Sequence, residues 1–195
     1  MEHKRNIVGI GMSQNPVPNL AGQQAVRMAT DMLGPNETVA WALAFCGGRH
    51  DGGAVLQALS AELDGVEIVG GAAIGTIIND KLAYTGYECA FAAFSTTVPK
   101  PAVIVANDLN KGETEAGQKL GNQLRQITNE GDTVLLFYDS VRSGPPPELY
   151  VANQLMDGIY RGLNGKQLKL IGAGTVGDFQ LTRSHIFDGC QEVKH

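Results

Sequence analysis

Ile68-Val69-Gly70-Gly71-Ala72-Ala73-Ile74-Gly75-Thr76-Ile77 and, much later, Leu170-Ile171-Gly172-Ala173-Gly174-Thr175-Val176-Gly177-Asp178-Phe179 say nearly the same thing. Each starts with large aliphatic or β-branched residues, enters a run of small ones, and leaves through an aliphatic residue, a glycine and a polar residue. Gly70 and Gly75 are spaced as Gly172 and Gly177 are. Glycine and alanine at such density leave backbone amides uncovered and permit positive φ, so a ligand or a second backbone can come close. The spacing predicts two strand-ending glycine turns, one per half, that form a paired binding site. The alternative is that both merely pack strands tightly.

Outward from these stretches the chain reads as alternating elements. Asn6 to Ser13 predicts a strand. Leu20 to Leu33 predicts a helix with Ala21, Ala25, Met28 and Met32 inward, stopped by Gly34-Pro35. Val39 to Phe45 is an apolar run without a polar face, the mark of a strand covered on both sides. A loop from Cys46 to Gly53 leads into a helix over Ala54 to Leu63, and Val66 to Val69 runs into the first glycine turn. Ile74 to Asn79 and Tyr84 to Ser95 read as antiparallel neighbours. After Pro99-Lys100-Pro101, Val103 to Val105 reads as a short strand. Lys111 to Ile127 reads as a helix with Ala116, Leu120, Leu124 and Ile127 inward, and with Gly117 and Gly121 set to lie against a sheet. Thr133 to Tyr138 matches the earlier buried strand. Glu148 to Leu163 reads as a helix opened by Pro145-Pro146-Pro147, Leu168 to Ile171 enters the second glycine turn, and Arg183 to Phe187 is a last strand.

The order strand, loop, helix, strand, glycine turn, strand thus occurs twice, over Val39 to Asn79 and Thr133 to about Phe187. A strand–helix–strand crossover implies parallel neighbours, and the later strands imply antiparallel additions. The expected fold is α/β (α+β mixed): a layered single domain over 1–195 with mixed sheets and flanking helices. It is built from two similar β-α-β-β units, about 6–98 and 102–190.

A chain of 195 residues with 43% hydrophobic content buries a core without disulfides or metals. Its net charge of −5 argues against nucleic acid or an anionic membrane as partner. No run reaches the roughly 18 apolar residues of a membrane span, and Met1 to Arg5 leads into no signal peptide. Cys46, Cys89 and Cys190 are odd in number and without a Cys-x-x-Cys pair, which suits a reducing cytoplasm.

Gly172 to Gly177 fits G-x-G-x-x-G, but no helical periodicity follows it and the acidic residue of a dinucleotide site is missing, so no cofactor is expected. Cys46 and His50 could share a metal, yet no second Cys/His pair exists, and no metal is expected. Cys46 with His50, or Asp139 with Ser140, could serve a hydrolase or transferase; an inert buried cysteine is the plainer reading. His50-Asp51 and Asp139-Ser140 follow the two buried strands, at the sheet edge where α/β ligands collect. Arg49, Arg142 and Arg183 add charge suited to a carboxylate. The candidate ligand-binding set is Arg49, His50, Gly70, Gly71, Thr76, Asp139, Ser140, Arg142, Gly172, Gly174 and Asp178, with no catalytic role expected.

Phe45-Cys46-Gly47-Gly48-Arg49-His50-Asp51 with Leu56 and Leu59, followed by Val69 to Ile77, resembles the N-terminal half of the FIST domain (F-box and intracellular signal transduction proteins). So do Leu136 to Ser140, Leu170 to Gly174, Gly177-Asp178 and Phe187. The likeness runs from about Gly9 to Gly189. It implies a sensory domain of prokaryotic signalling that binds small ligands such as amino acids and has no known catalytic residues. Partners implied are that ligand, a C-terminal FIST domain or signalling domain in the same or another chain, and a second copy of this chain.

Overall fold

The computed structural model describes residues 6–33, 36–79, 81–189 and 191–193. In chain order its elements are β1 (Val8–Ser13), α1 (Pro18–Leu33), β2 (Val39–Cys46), α2 (Gly52–Glu62), β3 (Glu67–Ala72), β4 (Thr76–Ile78), β5 (Lys81–Ala83) and β6 (Cys89–Ser95). A 3-10 turn (Leu109–Lys111) precedes α3 (Glu113–Ile127), β7 (Thr133–Asp139), β8 (Val141–Ser143), β9 (Glu148–Leu149), α4 (Ala152–Leu163), β10 (Lys169–Thr175), β11 (Ile186–Gly189) and β12 (Glu192–Val193).

The expected mixed α/β class is what forms. A six-stranded sheet has the order β1-β6-β2-β3-β11-β12, and β10-β7 form a separate two-stranded sheet. β2 and β3 run parallel across α2, and β7 and β10 run parallel across α4. The other pairings of the large sheet are antiparallel. β11, late in the chain, lies against β3, so the second half contributes a strand to the first half's sheet.

Alternation along β2 sets the two faces of the large sheet. Ala42, Ala44 and Cys46 point into a core with α1 and α2, while Trp41 stacks on Phe94 and Phe45 meets Phe137 on the opposite face. Val39 joins the helix side although its parity is odd, because the ladder shifts register between Val39 and Trp41. One extra residue flips the alternation. Asp51 caps α2, its Oδ1 accepting from Ala54 N–H at 2.8 Å.

The buried face of α1 is Ala21, Gly22, Ala25, Val26, Ala29 and Leu33. Met28 and Met32, expected inward, are exposed. Gly9 and Gly11 of β1 bring the helix down until a Cβ on either would lie 1.9 or 2.0 Å from a carbonyl oxygen of α1. At that separation only small residues fit, so size outranks hydrophobicity on this helix. The same logic corrects the expectation for α3. Gly117 and Gly121 press on α4, not on a sheet, and Gly158 and Gly162 of α4 answer them. Ile127 is exposed.

Other expectations also fail on hydrogen bonding. Ile74 to Asn79 contributes β4 to a hairpin with β5, whereas β6 lies between β1 and β2. Buried Ala90, Phe91 and Ala93 put both faces of β6 under cover, which a central strand provides and a hairpin does not. Val103 to Val105 forms no strand; among the described residues the main chain of 102–107 makes no hydrogen bond. The helix after Pro147 starts only at Ala152, since Tyr150 N–H goes to Ser140 O and Val151 N–H to the Glu113 carboxylate. β7 is half exposed, with helices on one side only. The predicted stop at Gly34-Pro35, Cys190, Met1 to Arg5 and the last two residues lie outside the described residues.

Candidate functional site

The two glycine stretches converge, but as strands. Gly70 and Gly71 sit inside β3 at φ +142° and +155°, and Gly172 and Gly174 inside β10. No turn forms there because both runs are hydrogen-bonded along parallel ladders: Gly70 to Ala44, Gly71 to Phe45, Gly172 to Leu136 and Gly174 to Tyr138 are register partners. Their ends meet directly. A Cβ on Gly71 would lie 2.3 Å from His185 O and 3.0 Å from the Thr175 methyl. Gly48 N–H donates to Gly177 O at 2.9 Å, Gly177 N–H to Arg183 O at 2.7 Å, and Arg183 Nη1 to Gly48 O at 2.6 Å. Ser140 and Ser184 hydroxyls both donate to Thr175 O. Backbone meets backbone along this seam. Close packing accounts for Gly70 and Gly71.

The charged and polar candidates scatter around the seam. Arg49 lies 5.3 Å over the Tyr87 ring. His50 is buried, its Nε2 2.9 Å from Tyr87 O, while its Nδ1 has no partner among the described residues. Thr76 Oγ1 is likewise buried without a partner among them. Asp139, 2% exposed, accepts from Val141 N–H at 3.0 Å. Arg142 belongs to a clasp: its Nη2 lies 2.7 Å from Glu113 Oε1 and its guanidinium 4.8 Å over Tyr150. The Val151 N–H bond, aided by Arg142, holds the Glu113 carboxyl below its ordinary value. Asp178 closes a turn on Thr182.

A cavity of about 640 Å³ opens between the helix-free face of the large sheet, β7, α3 and the segment 101–107. Its wall includes Trp41, Val69, Val103, Ile104, Val105, Leu120, Leu124, Leu136 and Ile186, and its charged members among the described residues are Asp132 and Asp188. Trp41 is 7% exposed, and its Nε1–H has no acceptor among the described residues. A smaller hollow of about 300 Å³, between β10 and α4, is bordered by Gly172, Gly174 and Tyr138, whose hydroxyl burial pushes up in pKa. Of the predicted set only Gly172 and Gly174 border either hollow. The cavity's wall was missed because Val103 to Val105 read as a short strand; its apolar run after Pro99-Lys100-Pro101 was the available signal.

Two parallel β-α-β units, linked through β11 in the six-stranded sheet, meet along a backbone seam beside an apolar chamber. The FIST N domain family model matches residues 40–195, and the chain belongs to that family, a class of sensory domain in signal transduction. No curated protein and no solved structure matches the chain significantly. Among the described residues no helix is long and apolar enough to cross a membrane, and no group of His, Cys, Asp or Glu is arranged to hold a metal ion.

Proposed function

We propose that this domain senses a small apolar amino acid or related carboxylate, bound in the 640 Å³ cavity, and that it binds this ligand without turning it over. The observation that carries the reading is Trp41: a buried N–H at the edge of an apolar chamber with no acceptor among the described residues. A buried donor left unmatched costs about 1–3 kcal/mol. A ligand carboxylate or carbonyl that accepts from it recovers this and fixes orientation, while the aliphatic wall takes an apolar side chain. Asp132 and Asp188, the charged wall members among the described residues, suit a ligand that also carries an ammonium group. Signalling then passes to a further domain, in the same or another chain, that responds to the filled cavity.

Thermal denaturation with a panel of amino acids and their amine and carboxylate analogues tests this. The right ligand at a hundredfold excess over its Kd raises Tm by roughly 5–10 °C. Val105→Trp, at a partly exposed wall position, fills the chamber and removes the shift while the chain stays folded. A panel of apolar amino acids without any shift at millimolar concentration overturns the assignment.

A further inference from the structure

Cys46 closes β2 and Cys89 opens β6, and the two are register partners. Gly47 N–H donates to Glu88 O just beyond them at 2.8 Å, which makes them a non-hydrogen-bonded antiparallel pair. In such a pair the Cα atoms stand about 4.5 Å apart with both side chains on one face, within the range of about 4.4–6.8 Å that a disulfide requires. Both are thiols, and both lie in the helix-side core.

The two thiols have different surroundings. Burial pushes Cys89 up to about 12. Cys46 Sγ instead lies 3.4 Å from Nε2 of His185, whose Nδ1 lies 3.6 Å from Oε1 of Glu192. Gly52, the first residue of α2, is pressed against this ring: a Cβ there would stand 2.7 Å from Nε2. The imidazole can take the thiol proton, and the carboxylate supports the imidazolium that results. Sequence reading paired Cys46 with His50; the fold gives it His185, 139 residues away.

We propose that Cys46 is a nucleophile toward small hydroperoxides, with His185 as its proton acceptor and Cys89 as the resolving thiol. The Cys46 sulfur attacks the terminal peroxide oxygen and the O–O bond breaks. The alcohol or water leaves with the proton held on His185, and Cys46 becomes a sulfenic acid, oxidised by two electrons. The Cys89 sulfur then attacks the Cys46 sulfur, the S–O bond breaks, and water leaves with the thiol proton. In sum, two thiols and one hydroperoxide give a disulfide, an alcohol (or water) and water. Burial selects the substrate class: Cys46 is 0% exposed, so a reagent scarcely larger than water reaches it through local opening where a peptide or metabolite does not. The reaction is a single stoichiometric oxidation and is independent of the apolar cavity.

The test treats the full chain with hydrogen peroxide, alkylates remaining thiols under denaturing conditions, and maps the peptides by mass spectrometry. The expected product joins the Cys46 and Cys89 peptides with loss of two hydrogens. In Cys89→Ser, dimedone traps a sulfenic acid on Cys46. In His185→Ala, checked for an unchanged circular dichroism spectrum, oxidation of Cys46 slows by at least about tenfold, the change in thiolate fraction that one pKa unit brings. Exposed Met28 and Met32 report that oxidant was delivered. Sulfoxide at both methionines with Cys46 still alkylated overturns the proposal, as does a disulfide from Cys46 to Cys190. An unchanged rate in a folded His185→Ala removes the histidine from the mechanism. The wild-type result stands whether or not that variant folds.

Discussion

The two parallel β-α-β units solve the same packing problem differently. Around β2 and β3, the sheet extends to six strands, and α1 and α2 cover one face with a core of Ala, Val, Leu and Phe that is nearly sealed. Around β7 and β10 the sheet stops at two strands. There the closest contact is between α3 and α4, through Gly117, Gly121, Gly158 and Gly162, and β7 stays half exposed beside the cavity. The first unit spends its glycines on seating a helix and strands against a sheet. The second spends them on a helix pair and leaves room at its strand edge.

That contrast can be broken first at Gly70. A Cβ there would stand 2.0 Å from Ala44 O, at a φ of +142° that side chains rarely adopt. Gly70→Val is expected to cost more than about 4 kcal/mol and to prevent folding, read as loss of soluble yield and of the cooperative melt. Gly158→Val strikes the second unit, with its Cβ 2.2 Å from Thr114 O. About 1–3 kcal/mol is expected, with hydrogen-exchange protection lost in α3 and α4 while β2, β3 and β6 keep theirs; uniform loss across the chain would merge the two units into one.

Smaller effects sharpen the comparison. Glu113→Gln leaves the Arg142 guanidinium without its carboxylate and is expected to cost about 2 kcal/mol at neutral pH. The folded carboxyl titrates below its ordinary 4.5. Its contribution is therefore full above that value and is lost as pH falls through the lower folded one. Acid denaturation of the wild type should accordingly steepen in this window, and the variant's should not. Trp41→Phe is expected to change stability least, within about 1 kcal/mol and toward stabilisation, because it keeps the ring beside Phe94 and removes an unmatched donor. It should also abolish the ligand-induced shift in Tm; a retained shift would move the ligand's polar end elsewhere.

Much of the architecture was legible from residue pattern. Val39 to Cys46 reads as a buried strand because nothing polar interrupts it, and the small-residue runs mark where main chains approach closely. The partner in each approach was not legible. Met28 and Met32 follow helical spacing as well as Ala21 and Ala25 do, yet the glycines of β1 choose the small face. Tyr84 to Ser95 alternates as a strand should, but its pairing to β1 and β2 depends on which neighbours cover both its faces. For the site, sequence proposed charged loops and bare glycines. The fold tied those loops to one another and opened its cavity beside an unpaired apolar segment.

The chain's local composition by itself set the element types, the two crossover units and the places where backbones crowd, because propensity and periodicity act over a few residues. Tertiary structure alone decided that Gly71 meets Thr175, that Cys46 faces His185, and that Trp41 borders a chamber with its N–H unmatched. Each of these joins residues far apart in sequence, through contacts whose geometry no local preference encodes.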